Sequence, residues 1–162
     1  MESIFYRPIG ILHTPFPEPK GVPIQPNRGK GIKGTVEVFD EFVEGLADLN
    51  GFSHIILLTH LHRSTEYKLK VVPFLDEVER GVFATRAPRR PNPIGLSVVQ
   101  LISIERNILH IEDIDIVDGT PLLDIKPYVS SFDKETEYRT GWLEKKTGPD
   151  SEHKKADGRF EE

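Results

Sequence analysis

The chain of 162 residues divides into short apolar segments of strand length, each bounded by proline, glycine or another turn residue. Only the stretch that starts near Asp40 has the spacing of an amphipathic helix. About seven strands against one helix predict a mainly β fold, a compact antiparallel β-barrel with small helical insertions and not a Rossmann sheet. The predicted strands are Ile4–Leu12, Thr35–Phe39, Ser53–His62, Gly81–Arg86, Gly95–Ile104, Ile108–Val117 and Leu122–Val129, the last of them ended by Pro127.

Some of these segments carry sharper expectations. SHIILLTHLH (53–62) is almost continuously apolar, which predicts a strand buried on both faces. Between 108 and 117 the apolar residues change parity, so a bulge near Glu112-Asp113 would turn Leu109, Ile111, Ile114 and Ile116 to the core; without it both faces would be partly buried. Asp40 is the expected cap of the helix, whose apolar face is Phe42, Val43, Leu46 and Leu49.

Composition limits the class of protein. The length suits one domain, and no cysteine is present for disulfides or thiolate metal sites. We expect no signal peptide and no membrane span, and the lack of disulfides suits a cytoplasmic location. The net charge of −5 argues against nucleic-acid binding through bulk electrostatics, although residues 80–90 hold four arginines and no acid. We predict a barrel domain over 1–143 and a flexible charged tail over 144–162.

Two segments have the residue types of a ligand site. In TRAPRRPNPIG (85–95), three prolines stiffen a loop that could hold arginine side chains and an asparagine amide at fixed positions for a ligand, or could be a solvated surface turn. In DGTP (118–121), a glycine turn exposes backbone groups, and Asp118 could accept a hydrogen bond from a ribose hydroxyl or a cationic amine. For an isolated DG pair, a plain β-turn is the commoner outcome. The proline-rich loop between Phe16 and Gly34 is a third candidate, because long loops in compact domains are often functional.

His60 and His62 lie two residues apart in a predicted strand, so they should share a face. An imidazole pair can begin a metal site, but no third ligand is evident in the sequence. We therefore expect no metal, and a half-buried, hydrogen-bonded histidine face is the simpler interpretation.

Together these segments resemble one family, the small β-barrel S-adenosylmethionine-dependent methyltransferases typified by bacterial tRNA (threonylcarbamoyladenosine) methyltransferase. The resemblance is carried by GVFATRAPRRPNPIGLS (81–97) and DIVDGTPLLDIKPYV (115–129), and supported by IGILHTPF (9–16), VPIQP (22–26) and LNGFSHIILLTHLH (49–62). It spans residues 4–130 and implies a barrel that binds S-adenosylmethionine, forms a homodimer and methylates the exocyclic amine of threonylcarbamoyladenosine beside the anticodon.

The resemblance also implies site residues. Cofactor contacts would fall on Gln25, Pro26, Asn27, His62, Arg63, Arg86, Arg90, Leu101, Asp118, Gly119, Thr120 and Pro121. By residue type, and not from the resemblance, Arg86, Arg89 and Lys126 could hold tRNA phosphates and Tyr128 could stack on a base. The catalytic residue is unknown: His62 is a candidate base because histidine titrates near neutrality, and a cofactor contact or a structural role is its alternative.

Two other functions stay open. A protein of this fold could methylate a small molecule or another RNA, or could bind S-adenosylmethionine as a sensor without catalysis. The arginines of 80–90 favour RNA over a small substrate, whereas cofactor residues alone do not separate an enzyme from a sensor.

Overall fold

The computed structural model describes residues 3–23, 30–133 and 139–145. Six of its eight strands form a closed antiparallel barrel in the order β1-β2-β7-β6-β3-β8, which confirms the predicted fold class. The barrel strands are β1 (Gly10–His13), β2 (Lys33–Val38), β3 (His54–His60), β6 (Ile94–Glu105), β7 (Ile108–Glu112) and β8 (Pro121–Pro127), and a separate two-stranded sheet is formed by β4 (Lys70–Val71) and β5 (Arg80–Gly81). In these described ranges no helix is long and apolar enough to cross a membrane.

The interior is filled by inward-facing aliphatic side chains from all six barrel strands and the connections between them. The fully buried members include Leu12, Val36, Ile55, Leu57, Val99, Leu109, Ile111, Ile114 and Leu122. The prediction that 53–62 is buried on both faces is wrong. In β3 only alternate residues, Ile55, Leu57 and Thr59, are buried, because the second face of a single-layer barrel points outward.

The expected parity change in 108–117 is correct in its outcome, since Leu109, Ile111, Ile114 and Ile116 are all buried. The local structure differs from the prediction. β7 ends at Glu112, and Asp113 adopts a left-handed φ of 66° that reverses the parity of the following residues. The Asp113 carboxylate accepts a 2.7 Å hydrogen bond from the Gly31 amide, which holds the preceding loop against this kink.

Other boundaries needed correction. The first strand begins at Gly10, where the register with β2 and β8 starts, and the preceding Ile9 adds backbone hydrogen bonds to Leu122 and Phe39. The predicted helix is a 3-10 helix over Asp40–Leu46, and Phe39, not Asp40, occupies its N-cap. The predicted strand 81–86 is mostly a 3-10 turn, Val82–Ala84. The Arg106-Asn107 turn joins β6 to β7, with Arg106 at a φ of 57°.

The segment GKGIKG (29–34) has the glycine spacing of a dinucleotide-binding loop, which in a Rossmann fold would open a helix. Here its last glycine, Gly34, lies in β2 and pairs with Ile111 of β7. A Cβ at Gly34 would lie 2.9 Å from the carbonyl oxygen of His13, so close strand packing explains this glycine.

Candidate cofactor and substrate site

One end of the barrel collects most of the predicted site residues. Strand β3 pairs with β8 so that Thr59 lies opposite Leu122, which brings the turn before β8 beside the residues that follow β3. The chain leaves β3 at this end and returns at Ile94, where the Leu61 amide donates to the Pro93 carbonyl oxygen at 2.7 Å. We call this end the site rim, defined by Leu61–Arg63, Arg86, Asp115 and Asp118–Pro121.

The Asp118–Pro121 turn is fixed by backbone hydrogen bonds to β1 and to its extension, the residues 14–16 that directly follow this strand. The Gly119 amide donates to the Leu12 carbonyl oxygen at 2.9 Å, and the Asp118 amide donates to the Phe16 carbonyl oxygen at 2.7 Å. Gly119 has a φ of 72°, a conformation that residues with a Cβ rarely adopt. One oxygen of the Asp118 carboxylate accepts from the Thr14 amide at 2.9 Å, so the acid is oriented before any ligand arrives.

His62 meets this turn. Its Nδ1 lies 3.3 Å from Thr120 Oγ1, and that hydroxyl donates to the Val117 carbonyl oxygen at 2.7 Å. The hydroxyl of Thr120 has one proton, which is directed to Val117. In the hydrogen bond between Thr120 Oγ1 and His62, the donor is therefore the Nδ1–H of His62. Burial, followed by the charge of Arg63, lowers the pKa of His62 below its usual value of 6.5. A neutral His62 with its proton on Nδ1 carries a free lone pair on Nε2.

The prediction that His62 lies in a strand is wrong. Strand β3 ends at His60, so His62 lies two residues beyond it. Among the described residues no group of three histidine, cysteine, aspartate or glutamate side chains is arranged to hold a metal ion.

Asp115 is the site residue that the sequence analysis did not name. It lies between the buried Ile114 and Ile116, and its carboxylate accepts a 2.7 Å hydrogen bond from the Ser97 hydroxyl. Burial raises the pKa of Asp115 to about 6, opposed by the Ser97 hydrogen bond, by its own amide and by the charge of Arg86. Alternation of isoleucine and aspartate in an extended stretch predicts that Asp115 faces away from the core, so its contact with Ser97 could not be found from the sequence.

The predicted arginines have different surroundings. Arg86 is exposed on the rim and acts electrostatically on Asp115. Arg90 points back into its own loop, where Nη1 donates to the carbonyl oxygens of Val82, Thr85 and Ala87 at 3.2, 2.9 and 3.3 Å. Arg89 is only 6% exposed and takes part in other interactions. Of the three, the structure offers only Arg86 freely to an outside ligand.

Other predicted residues lie elsewhere. Leu101 packs in the core, 7% exposed, with its amide donating to Ser53. Lys126 and Tyr128 lie toward the opposite end of β8, roughly 16–23 Å along the strand from Pro121 at about 3.3 Å per residue. Lys126 pairs with Asp124 at 2.8 Å, and Tyr128 contacts the ring of His54 edge-on. The predicted contacts Gln25, Pro26 and Asn27 fall outside the described residues, as does most of the predicted tail.

The rim has the groups that a sulfonium nucleotide with an amino-acid end requires. Asp118 and Asp115 supply negative charge for cationic groups, Arg86 supplies a planar donor for a carboxylate, and the glycine turn leaves room for close approach. An open concavity of 620 Å³ reaches Asp118, but the rest of its lining comes from residues 13–15 and from β2, β6 and β7, so it does not coincide with the site rim.

Comparison with known proteins supports the sequence resemblance. The family model described as tRNA-methyltransferase O N-terminal domain matches residues 11–134. The chain belongs to this family. Both of the motifs on which the resemblance was recognised lie inside the matched region, and so does the whole site rim.

Relatives of this tRNA-methyltransferase O family differ in length and in name. A probable S-adenosyl-L-methionine-binding protein of Pyrococcus abyssi is 60% identical over 97% of this chain and 85% of its own length. The mouse tRNA (adenine(37)-N6)-methyltransferase is 36% identical over 81% of this chain but only 32% of its own length. A crystal structure of TrmO from Pseudomonas aeruginosa superposes with a TM-score of 0.73 at 38% identity, over 87% of this chain and 63% of that one. The chain therefore spans about a third of the mouse enzyme and under two thirds of the solved bacterial chain.

Proposed function

We propose that this protein transfers a methyl group from S-adenosylmethionine to the exocyclic N6 amine of threonylcarbamoyladenosine at position 37 of tRNA. The class of the reaction, S-adenosylmethionine-dependent methylation of tRNA, follows from the family. The modified nucleoside is the finer part of the proposal, because the relative from Pyrococcus abyssi is named only for binding the cofactor. A homodimer and a cytoplasmic location belong to the same proposal.

The main observation in support of the proposal is the contact between His62 and Thr120 of the Asp118–Pro121 turn, at the site rim. The cofactor supplies a methyl group activated on a sulfonium, so the protein has to position two reactants and accept one proton. The glycine turn and Asp118 are oriented by bonds to β1 and its extension, and no metal or covalent step is required of the chain.

His62 is the proposed proton acceptor. The acceptor nitrogen belongs to a urea-like group whose lone pair is delocalised, so removal of its proton helps the nitrogen to form the new bond to carbon. The bond from Nδ1 to Thr120 leaves Nε2 of His62 unprotonated, and the lowered pKa keeps the ring neutral at pH 7. His62 would accept the amine proton at Nε2, and the cofactor would supply the methyl group through cleavage of its carbon–sulfur bond, with S-adenosylhomocysteine as the leaving group.

A cofactor contact is the competing role for His62, and one variant separates the two roles. If His62 takes the proton, His62→Gln lowers kcat and leaves the dissociation constant of S-adenosylmethionine unchanged. kcat/KM of the wild type then falls as pH drops through the lowered pKa of His62 and is flat above it, and the variant loses this acid limb. A weaker cofactor affinity with an unchanged kcat and pH profile would assign His62 to binding alone.

The proposed function itself is tested with methyl-labelled S-adenosylmethionine and two preparations of tRNA, with and without the threonylcarbamoyl group. Label should enter only the modified tRNA, and nuclease digestion should recover it on the base of residue 37. Equal labelling of both preparations would reject the modified nucleoside as the substrate. Cofactor binding without labelling of either would favour the sensor.

A further inference from the structure

We infer that Phe83 is a stacking platform for one unpaired nucleobase of the RNA substrate. The inference rests on the proposed function, since it names a part of the substrate that the site rim would engage. Phe83 follows Val82 in the 3-10 turn of the proline-stiffened motif and is 75% exposed. Its ring forms part of the wall of a cavity that Arg86 also lines, so it lies next to the site rim.

The loop around Phe83 is held by Arg90. The guanidinium of Arg90 donates to three carbonyl oxygens of the same loop, those of Val82, Thr85 and Ala87. Its central carbon also lies 5.9 Å from the centroid of the Phe83 ring. The cation therefore holds the turn, and it lies near the outer limit of a cation–π contact with the exposed ring.

A cavity beside the ring has the size and lining for a single base. Its volume is 340 Å³, the low end of the range for small-molecule sites, which admits one planar ring system and not a folded RNA segment. Its lining is mostly aromatic and aliphatic and includes Phe74, Leu75, Phe83, Arg86, Trp142 and Leu143.

The far wall of this cavity is also fixed in place. The Trp142 indole N–H donates to the Ala84 carbonyl oxygen at 2.8 Å, and the guanidinium of Arg80 lies 5.4 Å from the Trp142 ring. Arg80 is itself held by the buried carboxylate of Asp76 at 2.7 Å. The Trp142 side of the cavity is thus held in place by contacts within the chain.

The exposed cation on this surface is Arg86. Of the four arginines in residues 80–90, Arg80 pairs with Asp76, Arg89 is buried and Arg90 bonds the carbonyl oxygens of its own loop, so only Arg86 in this segment is exposed. Arg86 is exposed on the cavity wall, where it can pair with a phosphate or with another anionic group of the RNA. Single-stranded RNA offers both a base to stack and an anion to pair, and the loop beside an anticodon is single-stranded.

The test measures binding of a fluorescently labelled anticodon stem-loop to the full chain saturated with S-adenosylhomocysteine. Phe83→Ala removes the ring, Phe83→Leu keeps an apolar side chain without a ring, and Phe83→Trp keeps a flat ring. Phe5→Ala is the matched control, because Phe5 is 89% exposed and lies before β1, far in sequence from the motif. Loss of one stacked base weakens binding by roughly 5- to 150-fold.

We expect the Ala and Leu variants to weaken RNA binding at least about fivefold, and the Trp and Phe5→Ala variants to bind within about twofold of the wild type. The affinity for S-adenosylmethionine should be the same in all of them. A 2-aminopurine placed in the loop should be quenched by the wild type and the Trp variant but not by the Leu variant.

Three results would overturn the inference. Wild-type affinity in Phe83→Leu would show an apolar contact without stacking. A matching loss of cofactor affinity would place the ring in the cofactor site. Conversion of a dimer to a monomer by Phe83→Ala, seen in sedimentation, would make this surface a contact between two copies of the chain. If the wild type neither binds nor methylates tRNA, the proposed function fails as well, whereas intact methylation with unchanged binding in Phe83→Ala removes only the stacking platform.

Discussion

Asp115 should contribute more to stability in mild acid than at neutral pH. Its carboxylate has the Ser97 hydroxyl as its side-chain hydrogen-bond donor, and burial raises its pKa from 3.8 to about 6. The folded protein therefore binds the Asp115 proton more tightly than the unfolded chain does. Protonation favours the fold, so this contribution is fully present below about pH 4 and is lost as pH rises through 6.

The size of the effect follows from the shift. A change from 3.8 to about 6 is about two pKa units, and each unit is worth 1.36 kcal/mol, which gives roughly 3 kcal/mol as an upper bound. Asp115→Asn keeps the shape and an oxygen that can accept from Ser97, and it removes the charge. We expect the variant to match the wild type near pH 4 and to exceed its free energy of unfolding by up to about 3 kcal/mol near pH 7.5.

Urea unfolding at a series of pH values measures both curves, with equal m-values as the check that the same transition is compared. Glu66→Gln, a change at an exposed acid in the β3–β4 connection, is the control for simple loss of one negative charge. A stability difference between Asp115→Asn and wild type that does not change with pH would refute the argument. So would a wild type that gains stability from this carboxylate as pH rises.

Two further substitutions test the packing that positions the site. Gly95→Ala should lower the free energy of unfolding by about 1–3 kcal/mol, because its Cβ would lie 2.5 Å from the buried Thr59 Oγ1. Thermal unfolding compares it with Gly45→Ala, whose Cβ meets nothing within 4 Å. Equal losses in the two variants would contradict the reasoning. Asp76→Ala should cost about 1.5–3 kcal/mol in urea unfolding, because it removes the charged hydrogen bonds that hold Arg80 at 2.7 Å, while the partly exposed Arg80 can be solvated by water. A loss near zero would show that this ion pair contributes nothing.

Local sequence patterns predicted the strands of the barrel well where alternation and turn residues agree. The burial of all four apolar residues in 109–116 follows from such a pattern. Local sequence patterns failed for Gly81–Arg86, where they indicated a strand. There the carbonyl oxygens of a 3-10 turn converge on the guanidinium of Arg90, a partner that no propensity scale includes.

The sequence by itself determined the fold class, the family and the two segments that contribute to the site, because strand periodicity, turn residues and motif order are all written in one dimension. It could not show which arginine faces a ligand, since Arg86, Arg89 and Arg90 are alike as residue types and differ only in what surrounds them. It could not find the bond between His62 and Thr120 either, which lie 58 residues apart. Only closure of the barrel, through the register of β3 against β8, places these groups together, because contacts across a barrel depend on all strand pairings at once.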